Sequence, residues 1–104
     1  MKDKKPHEAI QDQFQAFIGL FKALANDERL QIVALLSSKG EMCPQEIEQY
    51  FFLEQSTTSH HLNVLHRAEI TTSRREGRNI YYALNREFIQ GQCHGFLELF
   101  TLPS

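Results

Sequence analysis

The sequence contains no tryptophan, two cysteines, three prolines and five glycines in 104 residues. Two thiols fifty positions apart, Cys43 and Cys93, cannot build the disulfide framework of a small secreted domain, and they fit a reducing compartment. Glycine and proline together supply only eight residues while 41% of the chain is hydrophobic, which excludes collagenous, low-complexity and disordered classes. No apolar run approaches the roughly 18 residues that cross a bilayer, and the charged start from Met1 to Pro6 leads into no signal-type segment. We therefore expect a cytoplasmic protein with no membrane partner. Positive charge is also scarce: 11 Lys and Arg against 13 Asp and Glu leave a net charge of −2. A non-specific nucleic-acid coat is thereby excluded, and any nucleic-acid contact has to use a local patch. No Gly-rich phosphate loop or nucleophile elbow occurs, and Ser59 beside His60 and His61 is no triad, because neighbours on a helix diverge. Nothing here suggests an enzyme or a cofactor.

What the sequence does have is helical periodicity across one domain, 1–104. From His7 to Ala25, Ile10, Phe14, Phe17, Ile18, Phe21, Leu24 and Ala25 recur at steps of three and four, which predicts an amphipathic helix. Asn26 and Asp27 can cap a second helix with the apolar set Leu30, Val33, Ala34 and Leu36, ending at the break from Ser37 to Gly40. Glu41 and Met42 read as a short extended piece. Cys43 precedes Pro44, which suits a first helical position, so a third helix is expected from Pro44 to about Phe51. A fourth runs from about Gln55 to Ala68. Thr58, Leu62 and Leu65 lie on its core side, and Gln55, Ser56, Ser59, His60 and Asn63 on a polar, uncharged side; His61 falls at the boundary and reads as a packing residue. The stretch from Thr71 to Leu84 predicts a two-stranded hairpin with a glycine-containing tip. Asn85 can cap a last helix carrying Phe88, Ile89, Cys93, Phe96, Leu97 and Phe100, weakened by Gly91 and Gly95. The expected fold is mainly α with a small hairpin, about five helices and a wing.

Two short helices joined tightly and followed by a charged hairpin make the order helix, turn, helix, wing over 44–68 and 71–84. Charge supports that reading. From His66 to Arg86 five arginines face two glutamates, a local +3, whereas Asn26 to Glu54 carries two bases and six acids, a local −4. Small hydroxyls and amides on the fourth helix can exchange hydrogen bonds with base edges, and His60 can donate to a base or a phosphate. The plainer reading of that face is an ordinary solvated surface, and of the hairpin arginines a solubilising turn.

Three separated segments, Phe21-Lys-Ala-Leu-Ala-Asn-Asp-Glu-Arg-Leu30, Gln55-Ser-Thr-Thr-Ser-His-His-Leu-Asn-Val-Leu65 and Ser73-Arg-Arg-Glu-Gly-Arg-Asn-Ile-Tyr-Tyr-Ala-Leu84, resemble the ArsR/SmtB family of bacterial winged-helix repressors. The resemblance covers about residues 14–86. It implies a homodimer joined through the first and last helices, 1–25 and 86–104, binding an inverted-repeat operator on double-stranded DNA and usually releasing it to an inducer. By that likeness Gln55, Ser56, Thr57, Ser59 and His60 face the major groove, and Arg74, Arg75, Arg78 and Asn79 approach the minor groove or phosphates. Six of the eight Phe lie in the two terminal helices, and Phe14, Phe17, Phe21, Phe96 and Phe100 are the candidate interface. Filling of the monomer core is the alternative for those rings.

Departures from the family pattern bear on sensing. Metal-sensing members carry a Cys-x-Cys pair where this chain has Glu41-Met-Cys43-Pro-Gln45, and an Asp-x-His pair where it has Asn85-Arg-Glu87. One thiolate alone is a poor metal site. His94 and Glu98, one turn apart, are the remaining metal candidate if two copies combine, with a surface pair as the plainer reading. The turn between the third and fourth helices lacks the glycine common in the family. Cys43 and Cys93 admit a redox role, against the simpler reading of two small apolar residues. The competing function from another class is a winged-helix protein-interaction module that no longer touches DNA.

Overall fold

The computed structural model describes residues 5–101. Five helices and one hairpin follow in order: α1 (Pro6–Leu24), α2 (Asp27–Lys39), α3 (Pro44–Phe51), α4 (Gln55–Arg67), β1 (Thr71–Glu76), β2 (Asn79–Leu84) and α5 (Arg86–Glu98). The outermost ends of the expected domain, 1–4 and 102–104, lie outside the described residues.

Local chemistry sets most of these boundaries. Asn26 Oδ1 accepts the Arg29 N–H at 3.0 Å and opens α2. Pro44 opens α3, and Glu46 reaches back to accept the Cys43 N–H at 3.0 Å, which holds the Glu46 carboxyl below its ordinary value. Asn85 Oδ1 accepts the Phe88 N–H at the start of α5. The hairpin pairs Thr71 with Leu84 through Glu76 with Asn79, leaving Gly77 and Arg78 as a two-residue loop. Gly77 takes φ +63°, which a glycine at the first loop position adopts without steric cost. Met42 and Tyr82 exchange both backbone bonds, at 3.0 and 2.8 Å, so the expected extended piece after α2 is a bridge stitched onto β2.

Around a centre of Ile32, Leu36, Ile47, Leu62, Leu65 and Ile70 the helices leave almost no solvent access. Two expected apolar sets need correction. On α2 the buried residues are Ile32, Leu35 and Leu36, whereas Leu30 and Ala34 are exposed. This helix meets α1, α4 and β2 at once, so its core side is not one stripe. On α1 the residues that enter the core are Leu20 and Ala23, with Leu24 packed against them, while Ile10, Phe14 and Phe21 stay exposed. The more conspicuous aromatic stripe is therefore a second face. The last helix ends at Glu98, so Phe100 sits in the turn beyond it.

Both α3 and α4 end in left-handed caps without glycine. Phe52 takes φ +56° while Leu53 N–H bonds to Glu48 O at 3.0 Å; Glu69 takes φ +63° while Ile70 N–H bonds to Leu65 O at 3.0 Å. The turn before α4, which has no glycine, thus holds a phenylalanine in the left-handed state. Left-handed geometry costs a side-chain-bearing residue about 1–2 kcal/mol, and both side chains are exposed, so little is lost by removing them. Glu69→Gly is expected to raise unfolding stability by about 1 kcal/mol, read as a higher urea midpoint at unchanged slope.

Candidate nucleic-acid interface

Helix α4 is anchored along one edge and open along the other. Thr58, Leu62 and Leu65 are buried, and Thr58 Oγ1 donates to Glu54 O at 3.0 Å, satisfying the one hydroxyl on that edge. At about 100° per residue the opposite stripe runs Ser56, His60, Asn63 and Arg67, all exposed. Of the predicted readers, Gln55 and Ser59 are also exposed and flank this stripe, while Thr57 is half-buried at its margin. Arg67, counted in the sequence only with the local positive charge, joins this stripe through its spacing of four from Asn63 and seven from His60.

His61 is buried between this helix and α2. Arg29 Nη1 lies 3.3 Å from His61 Nδ1, and on the other side of the ring His61 Nε2 lies 3.7 Å from Glu28 Oε1. The same guanidinium donates through Nε to Ala23 O at 2.6 Å. One arginine thus ties the end of α1, the start of α2 and the inner side of α4 together, and the expected packing role of His61 holds.

Strand alternation separates the hairpin arginines, since Arg74 pairs across the sheet with Tyr81 and Arg75 with Ile80. Arg74 is tied down. Its Nε donates to both Glu41 oxygens, at 3.0 and 2.9 Å, its Nη2 also contacts Glu41, its Nη1 donates to Glu76 at 2.8 Å, and its guanidinium lies over Tyr81. Hydrogen bonding from Arg74 holds the Glu41 carboxyl below its ordinary value and raises the guanidinium in turn. Arg86, counted with the local positive charge, donates to Ser37 O at 3.2 Å. Arg75, Arg78 and Asn79 are exposed, and among the described residues no acid pairs with the two arginines.

The remaining candidates fall elsewhere. Phe96 packs edge-on against Phe17, Phe21 and Phe100 at centroid distances of 5.8, 4.7 and 5.1 Å, joining α1 to α5 within one protomer. A Cβ on Gly95 would approach Phe17 to 3.3 Å, so this glycine allows the close crossing. Ile10, Phe14, Phe17, Ile18, Phe21, Phe96 and Leu99 nevertheless line an open apolar groove. Cys43 is buried at the start of α3, Cys93 is exposed on α5, and both are free thiols. His94 Nε2 lies 3.3 Å from Glu98 Oε1 as an exposed pair, and among the described residues no three metal-ligating side chains gather.

A family model described as "Bacterial regulatory protein, arsR family" matches residues 26–73, which span α2, the helix pair and the first residues of β1. The transcriptional repressor SdpR of Bacillus subtilis (strain 168) is 36% identical over 79 residues, covering 76% of this chain and 87% of that protein. This chain belongs to the ArsR family. An arsenical resistance operon repressor from Staphylococcus xylosus is 39% identical over 70 residues, 67% of this chain and 66% of that one. Reduced HlyU from Vibrio cholerae N16961 superposes with a TM-score of 0.70 at 28% identity, over 84% of this chain and 92% of that one. The homodimeric winged helix-turn-helix DNA-binding domain of Mb0332 from Mycobacterium bovis, solved in solution, gives a TM-score of 0.70 at 27% identity over 95% and 89%. The ArsR chain is accordingly a winged-helix transcriptional regulator and not an enzyme. None of its described helices is long and apolar enough to cross a membrane.

Two outcomes follow from this ArsR scaffold. Arg29→Ala strands His61 Nδ1 and Ala23 O and should cost about 2 kcal/mol in chemical denaturation. Glu41→Gln should speed amide exchange in β1 and β2 at neutral pH. A carboxyl whose folded value is depressed stabilises above its unfolded value and loses that contribution as pH falls through the folded one. The difference between variant and parent should therefore disappear in strong acid, below the ordinary carboxylate range.

Proposed function

We propose that the protein is a homodimeric, cytoplasmic repressor that binds an inverted-repeat operator through two copies of α4 and gives it up to an inducer. The observation that carries this reading is the exposed stripe of α4, polar through Ser56, His60 and Asn63 and basic at Arg67, beside the exposed wing cations. Ser56, His60 and Asn63 offer hydroxyl, imidazole and amide groups at groove-reading spacing, with Gln55, Thr57 and Ser59 beside them. Arg75 and Arg78 serve phosphates, and Asn79 lies next to them at the wing tip. Arg74, in this reading, orients the wing through Glu41 rather than meeting DNA.

Dimerisation is supported by the apolar surface that one protomer leaves uncovered. Phe14 and Phe100 are 61% and 69% exposed, and Ile10 and Leu97 fall between them. A patch of this kind on a monomer marks an association surface. Placed against a second copy, it would join α1 and α5 of both. Of the two thiols, only Cys93 is open to an oxidant, and the His94–Glu98 pair would need the partner copy to complete a metal site.

Selection from random duplex DNA tests the reading. Recovered sites should contain two mirrored half-sites centred about 10–10.5 base pairs apart, or a whole-turn multiple. Binding to them should weaken steeply with salt, and Arg75→Ala and Arg78→Ala should each flatten the slope by about one unit. Failure to enrich any sequence, with a slope near zero, would overturn it.

A further inference from the structure

The wing flanks α4 on one side, where His66 meets Tyr82 ring to ring at 6.1 Å. On the other side α4 packs toward α1, and between them lies a shallow hollow of about 430 Å³ lined by Gly19, Lys22, Ala23, Arg29, Val64, Arg67 and Ala68. Its chemistry is one-sided: Lys22, Arg29 and Arg67 are cationic and no acid lines it. Its floor is small. A Cβ on Gly19 would meet nothing within 4 Å, and Ala23 and Ala68 lie beside it, so a bulky group can come close to the backbone. Arg29 is engaged with Ala23 O and His61, and Glu28 on α2 faces His61. Lys22 and Arg67, both exposed, are the two reaching cations: Arg67 makes a single 3.4 Å bond from Nε to Asn63 O of its own helix and continues the outward stripe of α4.

A helix lying in the major groove has a phosphate strand along each side. The wing supplies cations to one of them. We propose that Lys22 and Arg67 form a second phosphate clamp, gripping the DNA strand on the side of α4 away from the wing. The inference rests on the DNA-binding reading above and adds a residue of α1 to the DNA contact, an element otherwise assigned to dimerisation. Charge complementarity and continuity with the α4 stripe argue for a DNA strand as occupant.

The test measures binding of the full-length protein to a selected operator duplex and to a random duplex of equal length, across a salt series. Lys22→Ala and Arg67→Ala should each lower the slope by about one unit and weaken both duplexes by the same factor, since phosphate contacts carry no sequence information. Lys22→Arg should retain the parent slope. Ethylation interference on the operator should lose, with Lys22→Ala, phosphates on the strand that wing variants leave untouched. Unchanged slopes for Lys22→Ala and Arg67→Ala, while Arg75→Ala flattens its own, would overturn the clamp and leave the DNA-binding reading standing. A preference change on the operator alone would also overturn it. If the parent protein binds neither duplex, the underlying reading fails and the clamp with it. Unaltered thermal unfolding of both alanine variants, expected for exposed side chains, makes each of these outcomes decisive.

Discussion

Burial of Thr58, Leu62 and Leu65 decides which side of α4 meets solvent, and the rest of the molecule is arranged around that choice. Two leucines removed from water contribute about 2 kcal/mol each, a large share of the 5–15 kcal/mol that holds a small domain together. Turning the helix to hide Ser56 and His60 would forfeit that and bury polar groups without partners. The brace through Arg29 and His61 adds direction to the hydrophobic anchor, since it fixes the helix to both α1 and α2. The polar stripe is outside because nothing else can be.

The same economy explains α1. Among the described residues of α1, Leu20, Ala23 and Leu24 serve the protomer's own core, and the phenylalanines lie on a different side of the helix, where Phe96 covers part of them. A chain of 104 residues has a limited interior, so a large aromatic stripe beyond that interior is surface waiting for a second surface. The proposed dimer and the proposed DNA contact are thus two consequences of one division of labour between helix faces.

Much of this was legible in the residues themselves. Pro44 and Phe51 bound α3 as expected, the hairpin spans Thr71 to Leu84 as its β-branched and aromatic residues around a glycine tip indicate, and Asn26 and Asn85 cap the helices they precede. Local chemistry determines such features, so local reading finds them. Tertiary features escaped it. Ile32 and Leu35 replaced Leu30 and Ala34 in the core because α2 touches three neighbours, which periodicity along one chain does not reveal. Arg74 looked like its neighbours in sequence, yet Glu41, thirty-three residues away, engages it, and strand alternation turns Arg75 the other way. Phe52 occupies a backbone state that usually calls for glycine, since the hydrogen bond from Leu53 to Glu48 closes the turn regardless of the side chain.

In this reading the outward stripe of α4, held in place by its buried edge, is the surface that enters DNA. Nuclear magnetic resonance of the labelled protein, titrated with a bound duplex, tests it residue by residue. The largest shift changes should fall on Ser56, His60 and Asn63 and at the tip around Gly77 and Arg78. Changes confined to α3, or to the aromatic faces of α1 and α5 with α4 silent, would contradict it.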